Sequence, residues 1–148
     1  TVTIDGDGAR DQFARKARIG LVAPYLQVYE EFSALENLQM SMTLRGSRSD
    51  ETANRAMLER VALDPRRQDP VRGFSSGMKQ RLKYAMALVH RPAVLVLDEP
   101  MSNLDAEGAT IVRSIMDDQR TKGILVVATN DRTDIDRWDI EVDLNARH

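Results

Sequence analysis

The sequence predicts an α/β domain built on a mostly parallel sheet. Two continuous apolar runs, Val94-Leu95-Val96-Leu97 and Ile124-Leu125-Val126-Val127-Ala128, have the length and composition of strands buried on both faces. Around them lie segments with apolar residues at helical spacing, opened by capping residues and closed by Gly or Pro. Strands that alternate with helices imply right-handed crossovers and parallel neighbours.

The elements follow in order. Thr1-Val2-Thr3-Ile4, closed by Asp5-Gly6, reads as a strand and turn, and Ile19 to Val22 as a second strand ended by Pro24. Ser33-Ala34-Leu35-Glu36 is a capping box: the Ser33 hydroxyl can accept from a first-turn amide while Glu36 reaches back. Its helix carries Leu35, Leu38 and Met42 and stops before Gly46. A second helix is expected from about Asp50 to Val61, with Ala53, Met57 and Val61 on one face, and Asp64-Pro65 breaks it. Ser75 and Ser76 open a third helix through Leu82, Ala85, Met86 and Val89, closed by Arg91-Pro92. After the strand at 94–97, a helix from about Ala106 to Arg120 carries Ile111, Val112, Ile115 and Met116. The strand Ile124 to Ala128 follows, and the alternation Ile140 to Leu144 reads as a last strand. The helices between about Ser33 and His90 look like an insertion on the sheet.

Composition narrows the chemistry. A chain of 148 residues fits one domain with a single hydrophobic core. A formal charge of −2 without a basic stripe gives no footprint for nucleic acid. The absence of cysteine removes disulfides, thiol catalysis and thiolate metal sites. No apolar stretch approaches the ~20 residues needed to span a bilayer, so any membrane role is expected to come through a partner.

The strongest local signal is Val94-Leu95-Val96-Leu97-Asp98-Glu99-Pro100. A strand ending in two carboxylates places them at the carboxyl edge of a parallel sheet, where α/β proteins bind ligands. One carboxylate can hold magnesium and its neighbour can orient or deprotonate a water. An ordinary acidic turn would read the same if it stood alone. Upstream, the small-residue turn Phe74-Ser75-Ser76-Gly77 opens the helix through Met78-Lys79-Gln80-Arg81-Leu82. Free amides and the positive end of the helix dipole suit a phosphate there, although a plain N-cap fits as well. Ser102-Asn103-Leu104-Asp105 and Thr129-Asn130-Asp131 are polar turns with N-cap and turn readings of their own.

Together these residues resemble the nucleotide-binding subunit of ABC transporters. From Phe74 to Asp105 the chain resembles, without a gap, the signature motif, its helix, the Walker B strand and the D-loop. Ile19-Gly20-Leu21-Val22 resembles the strand before the Q-loop, Leu35-Glu36-Asn37-Leu38 the start of the helical subdomain, and Thr129-Asn130-Asp131 the switch loop. Thr1 to Gly6 resembles the strand that follows the family's first helix. The variant Ser-x-Gly-Met-Lys-Gln-Arg is similar to the branch of bacterial exporters.

The resemblance implies a P-loop NTPase fold: a parallel core with a helical signature subdomain at about 33–90, the remainder of the core being about 1–32 and 91–148. It implies ATP and Mg2+ as ligands, with Asp98 on magnesium and Glu99 polarising the attacking water. Ser75, Ser76 and Gly77 would be nucleotide contacts, with Ser75 and Gly77 reaching the γ-phosphate across a dimer of two such domains. Asp105 would lie at the dimer contact. A transmembrane permease subunit would be the other partner, holding the chain at the inner face of the membrane. The loop 24–32, with Tyr25, Tyr29 and Phe32, falls where the family receives that subunit's coupling helix, though local packing accounts for it equally.

Three departures qualify this. No Gly-x-x-x-x-Gly-Lys-Ser/Thr occurs in the sequence, so the chain looks cut after the family's first helix and, alone, is expected to be inactive. Pro24 stands at the Q-loop glutamine position, with Gln27 three residues later as the candidate metal ligand. Asn130 stands at the switch-histidine position, where an amide can hydrogen-bond a phosphate but cannot change charge near neutral pH. A non-catalytic ABC-like assembly module and a soluble, non-transport ABC ATPase are the alternatives. His90, His148 and Trp138 read as structural, and the charged stretch Arg10 to Arg18 as a solvated segment.

Overall fold

The computed structural model describes residues 18–131 and 139–143. The expected strand at Thr1–Ile4, the stretch from Arg10 to Ala17, Trp138 and His148 lie outside the described residues. The order is β1 (Ile19–Val22), α1 (Ala34–Leu44), α2 (Glu51–Arg60), a 3-10 turn (Val71–Gly73), α3 (Ser76–Leu88), β2 (Val94–Asp98), α4 (Ala106–Lys122) and β3 (Ile124–Ala128). The three strands are parallel in the order β1-β2-β3. Val22 stands opposite Leu97 and Asp98 opposite Ala128, so the carboxyl ends form one row.

The helices begin where their caps dictate. The Ser33 Oγ accepts from the Glu36 amide at 3.3 Å, and the Glu36 Oε2 accepts from the Ser33 amide at 2.8 Å. The Ser33 amide, and after it the Ser33 hydroxyl donating to the same oxygen at 2.7 Å, hold the Glu36 carboxyl below its usual range. Asp50 caps α2 by accepting from Thr52 and Ala53. The buried face of α2 is displaced by one residue from the expected one. Asn54 and Leu58 are enclosed, with Val61 just beyond the helix, while Ala53 and Met57 are only half-buried.

The sheet has one covered face. Gly20, Val22, Leu95 and Leu97 point into the core, where α3 packs on β1 and α4 on β3. Leu95, Leu97, Leu82, Tyr84 and Val112 are wholly enclosed there. The expectation that β2 and β3 are buried on both faces is not met. Ile124 and Val126 are 58% and 47% exposed, and Leu21 is 36% exposed. These side chains share the opposite face, against which no described element packs. An apolar run records a demand for burial, and that demand is unmet among the described residues. The expected strand at Ile140 to Leu144 is likewise not found over residues 140–143. They pair with no strand, and Ile140 is 83% exposed. No described helix is long and apolar enough to cross a membrane.

Candidate functional site at the carboxyl edge of the sheet

The site is built where β2 ends. Asp98 is its last residue and half-buried. Glu99 then turns the chain into the left-handed region at φ 49°, and Asn103 does the same at φ 61°. Non-glycine residues held there carry strain that clusters at functional sites. The turn is fastened from several sides. The Glu99 amide donates to Ala128 O at 2.8 Å, extending the β2–β3 ladder, and the Ser102 amide donates to Glu99 O at 3.1 Å.

The same ladder brings Asn130 beside Glu99. The Asn130 amide and its Nδ2 both donate to Glu99 Oε1, at 3.1 and 2.9 Å. One carboxylate oxygen is thereby fixed by two donors, and Oε2 makes no hydrogen bond to any described residue. A carboxylate held in this way is an oriented acceptor, suited to positioning a water or taking its proton. The two residues expected to be catalytic therefore meet in the fold.

Magnesium suits the donors at this edge. It prefers carboxylate, phosphate and water oxygens to a cage made only of protein ligands. Asp98 beside Glu99 supplies hard oxygens of that kind. Gln27 is exposed, five residues past the end of β1. Among the described residues no hydrogen bond joins it to Asp98, Glu99 or Asn130.

The Ser75–Gly77 turn opens α3. Ser75 caps the helix, its Oγ accepting from the Met78 amide at 3.2 Å, and Ser75 and Ser76 are exposed. No hydrogen bond among the described residues joins Ser75, Ser76 or Gly77 to Asp98, Glu99 or Asn130. Gly77 does approach the turn after β2: a Cβ there would stand 3.4 Å from Asn103 O. Asp105 caps α4, its Oδ1 accepting from the Gly108 amide at 2.8 Å.

The partners that position α3 gave no signal in the sequence. Arg81 donates to Ala62 O at 2.9 Å and Val61 O at 3.3 Å, and lies 3.7 Å from Glu107. Lys79 pairs with Glu30. The Tyr84 hydroxyl donates to Pro100 O at 2.7 Å. Each of these contacts joins segments far apart in the chain, which periodicity and spacing cannot report.

A parallel sheet with paired carboxylates at its carboxyl edge and helices packed on one face agrees with the ABC-type P-loop NTPase fold. The family model described as ABC transporter matches residues 1–102. The chain is 35% identical over 122 residues to the lipoprotein-releasing system ATP-binding protein LolD of Alcanivorax borkumensis, covering 80% of this chain and 54% of that protein. It is 28% identical over 147 residues to the uncharacterized ABC transporter ATP-binding protein YybJ of Bacillus subtilis, covering 98% and 67%. A solved ATP-binding subunit of an ABC transporter superimposes with a TM-score of 0.70 at 24% identity, over 82% of this chain and 52% of that one, a likeness of fold. This chain belongs to the ABC transporter family, and the relatives it matches are ATP-binding proteins of such transporters. It spans about half the length of curated relatives such as LolD.

Proposed function

We propose that this chain supplies the Walker B, D-loop, signature and switch elements of an ATPase subunit that energises export by an ABC transporter. The observation that carries the reading is the fixed Glu99 carboxylate at the sheet edge, gripped by Asn130 and adjacent to Asp98. In this reading Glu99 polarises the attacking water and Asn130 orients Glu99 without titrating. Asp98 holds Mg2+, whose charge would stabilise the phosphate oxygens. Gln27 is a second candidate ligand, on a loop that would have to carry it inward.

The exposed N-terminus of α3 serves the other half of the chemistry. Ser75, Ser76 and Gly77 would meet the γ-phosphate of ATP held by a second copy of the domain, and Asp105 would lie near that interface. A transmembrane permease subunit is the second partner, with the chain cytoplasmic and peripheral on the inner face of the membrane. Tyr25 and Tyr29, 68% and 44% exposed between β1 and α1, offer it an aromatic surface.

The 148 residues lack a Walker A sequence, so this polypeptide alone is expected to hold ATP poorly and not to turn it over. Titration calorimetry with Mg-ATP tests the division of labour. The 148-residue chain is expected to give no micromolar isotherm, and the same chain joined to a Walker A loop is expected to give one. A micromolar 1:1 site on the chain alone would show that the signature or Walker B side binds unaided, contrary to this reading.

A further inference from the structure

We propose that Tyr84 is a positioning residue that couples the signature helix to Glu99, an inference that rests on the proposed role of Glu99. Tyr84 lies on α3 seven residues after Gly77, so the two share a face of the helix. Both face the turn that follows β2, towards its opposite ends. The backbone of Gly77 faces Asn103 O, which a Cβ added at Gly77 would meet at 3.4 Å, and the Tyr84 hydroxyl donates to Pro100 O at 2.7 Å.

The grip at Pro100 has a chemical reason. Proline has no amide proton, so the peptide that joins it to Glu99 is held only through its carbonyl, by the Ser102 amide at 3.1 Å, and the Pro100 carbonyl gives a second hold. Tyr84 is wholly enclosed. A buried phenol needs a partner, and its ring has little freedom to swing away. The bond therefore fixes the residue next to Glu99, whose backbone is held at φ 49°. A movement at the Ser75–Gly77 end of α3 would reach Glu99 through the rigid helix and the Tyr84–Pro100 hydrogen bond. Nucleotide bound by the signature turn would thus set the carboxylate that acts on the chain's own ATP.

The test is Tyr84→Phe in the full-length protein, assayed for ATP turnover beside Glu99→Gln, with amide exchange followed on both. The phenyl ring keeps the packing and removes the hydroxyl. Misplacing a catalytic group by ~1 Å can cost about 10²-fold, and a partial loosening is expected to lower kcat about tenfold. KM for Mg-ATP should stay within about twofold, a split that general destabilisation would not produce. The Glu99 and Ser102 amides should exchange faster, while those of Leu95 and Leu97 keep their protection. Parental kcat in Tyr84→Phe beside an inactive Glu99→Gln would overturn the coupling and leave the proposed function standing. Full turnover in Glu99→Gln would overturn both. Equal loss of protection in β2 and in the turn would also overturn the coupling, because Tyr84 would then act only on stability.

Discussion

Gly20→Ala tests the contact that seats the signature helix on the sheet. A Cβ on Gly20 would stand 2.5 Å from Ala87 O, 3.0 Å from Pro92 Cγ and 3.1 Å from Leu95 Cδ1. The nearest of these is a backbone carbonyl of α3, which cannot swing aside as a side chain would. Either α3 or β1 must shift, and overpacking of this kind costs about 1–3 kcal/mol. A helix-wide displacement belongs at the upper end, roughly 3 kcal/mol, a large share of the ~5–15 kcal/mol that holds a domain folded. At about 2–4 °C per kcal/mol for a chain of this size, the unfolding midpoint should fall by roughly 6–12 °C. Thermal melts followed by circular dichroism measure it, with Gly73→Ala as control. Nothing lies within 4 Å of a Cβ at Gly73, so that variant should be unchanged or slightly stabilised. A fall of less than about 2 °C for Gly20→Ala would refute the close approach of β1 and α3.

His90 should make stability fall in mild acid. Its Nε2 lies 3.2 Å from Ile19 O, and burial first, then the charge of Arg45, lower its pKa from 6.5 to about 4. The unfolded chain therefore takes up the proton first. The contribution is complete above about pH 6.5 and is lost as pH falls towards 4. With partial solvent screening it is of order 1–2 kcal/mol. Between pH 7.5 and 4.5 the urea midpoint of the parent should fall further than that of His90→Gln, and parallel falls would refute the assignment. Asn130→His should raise turnover in the full-length protein, within the about 10²-fold that a positioned acid–base group supplies. It should also add a pH dependence near the usual imidazole range that the parent lacks. An unchanged kcat–pH profile would show that position 130 acts through orientation alone.

Much of this architecture was legible because it is written locally. The capping box at Ser33 and Glu36, the cap at Ser75, and the apolar run ending in Asp98-Glu99 set the helix starts and the site's edge through neighbours a few residues apart. Tertiary burial was less legible. Ile124 and Val126 read as doubly buried because composition registers hydrophobicity and not the neighbour that would cover it. On α2, Ala53 and Met57 fit the helical period as well as Asn54 and Leu58 do, and only the packing against α1 and α3 chooses between them. The alternation at 140–143 met the strand pattern but found no partner among the described residues. The grip of Asn130 on Glu99 spans 31 residues and that of Tyr84 on Pro100 spans 16. Such pairs depend on strand register and on how a helix seats.

The central claim is that the carboxylate held by Asn130 at the end of β2 works as the base of an ATPase, and Glu99→Gln in the full-length protein tests it most directly. The amide preserves shape and hydrogen bonding but cannot take a proton. Steady-state turnover is expected to fall by about 10²–10⁴-fold, while calorimetric affinity for Mg-ATP stays within about threefold of the parent, less than the ~1.4 kcal/mol that a tenfold change requires. Turnover equal to the parent's, with affinity unchanged, would contradict the account.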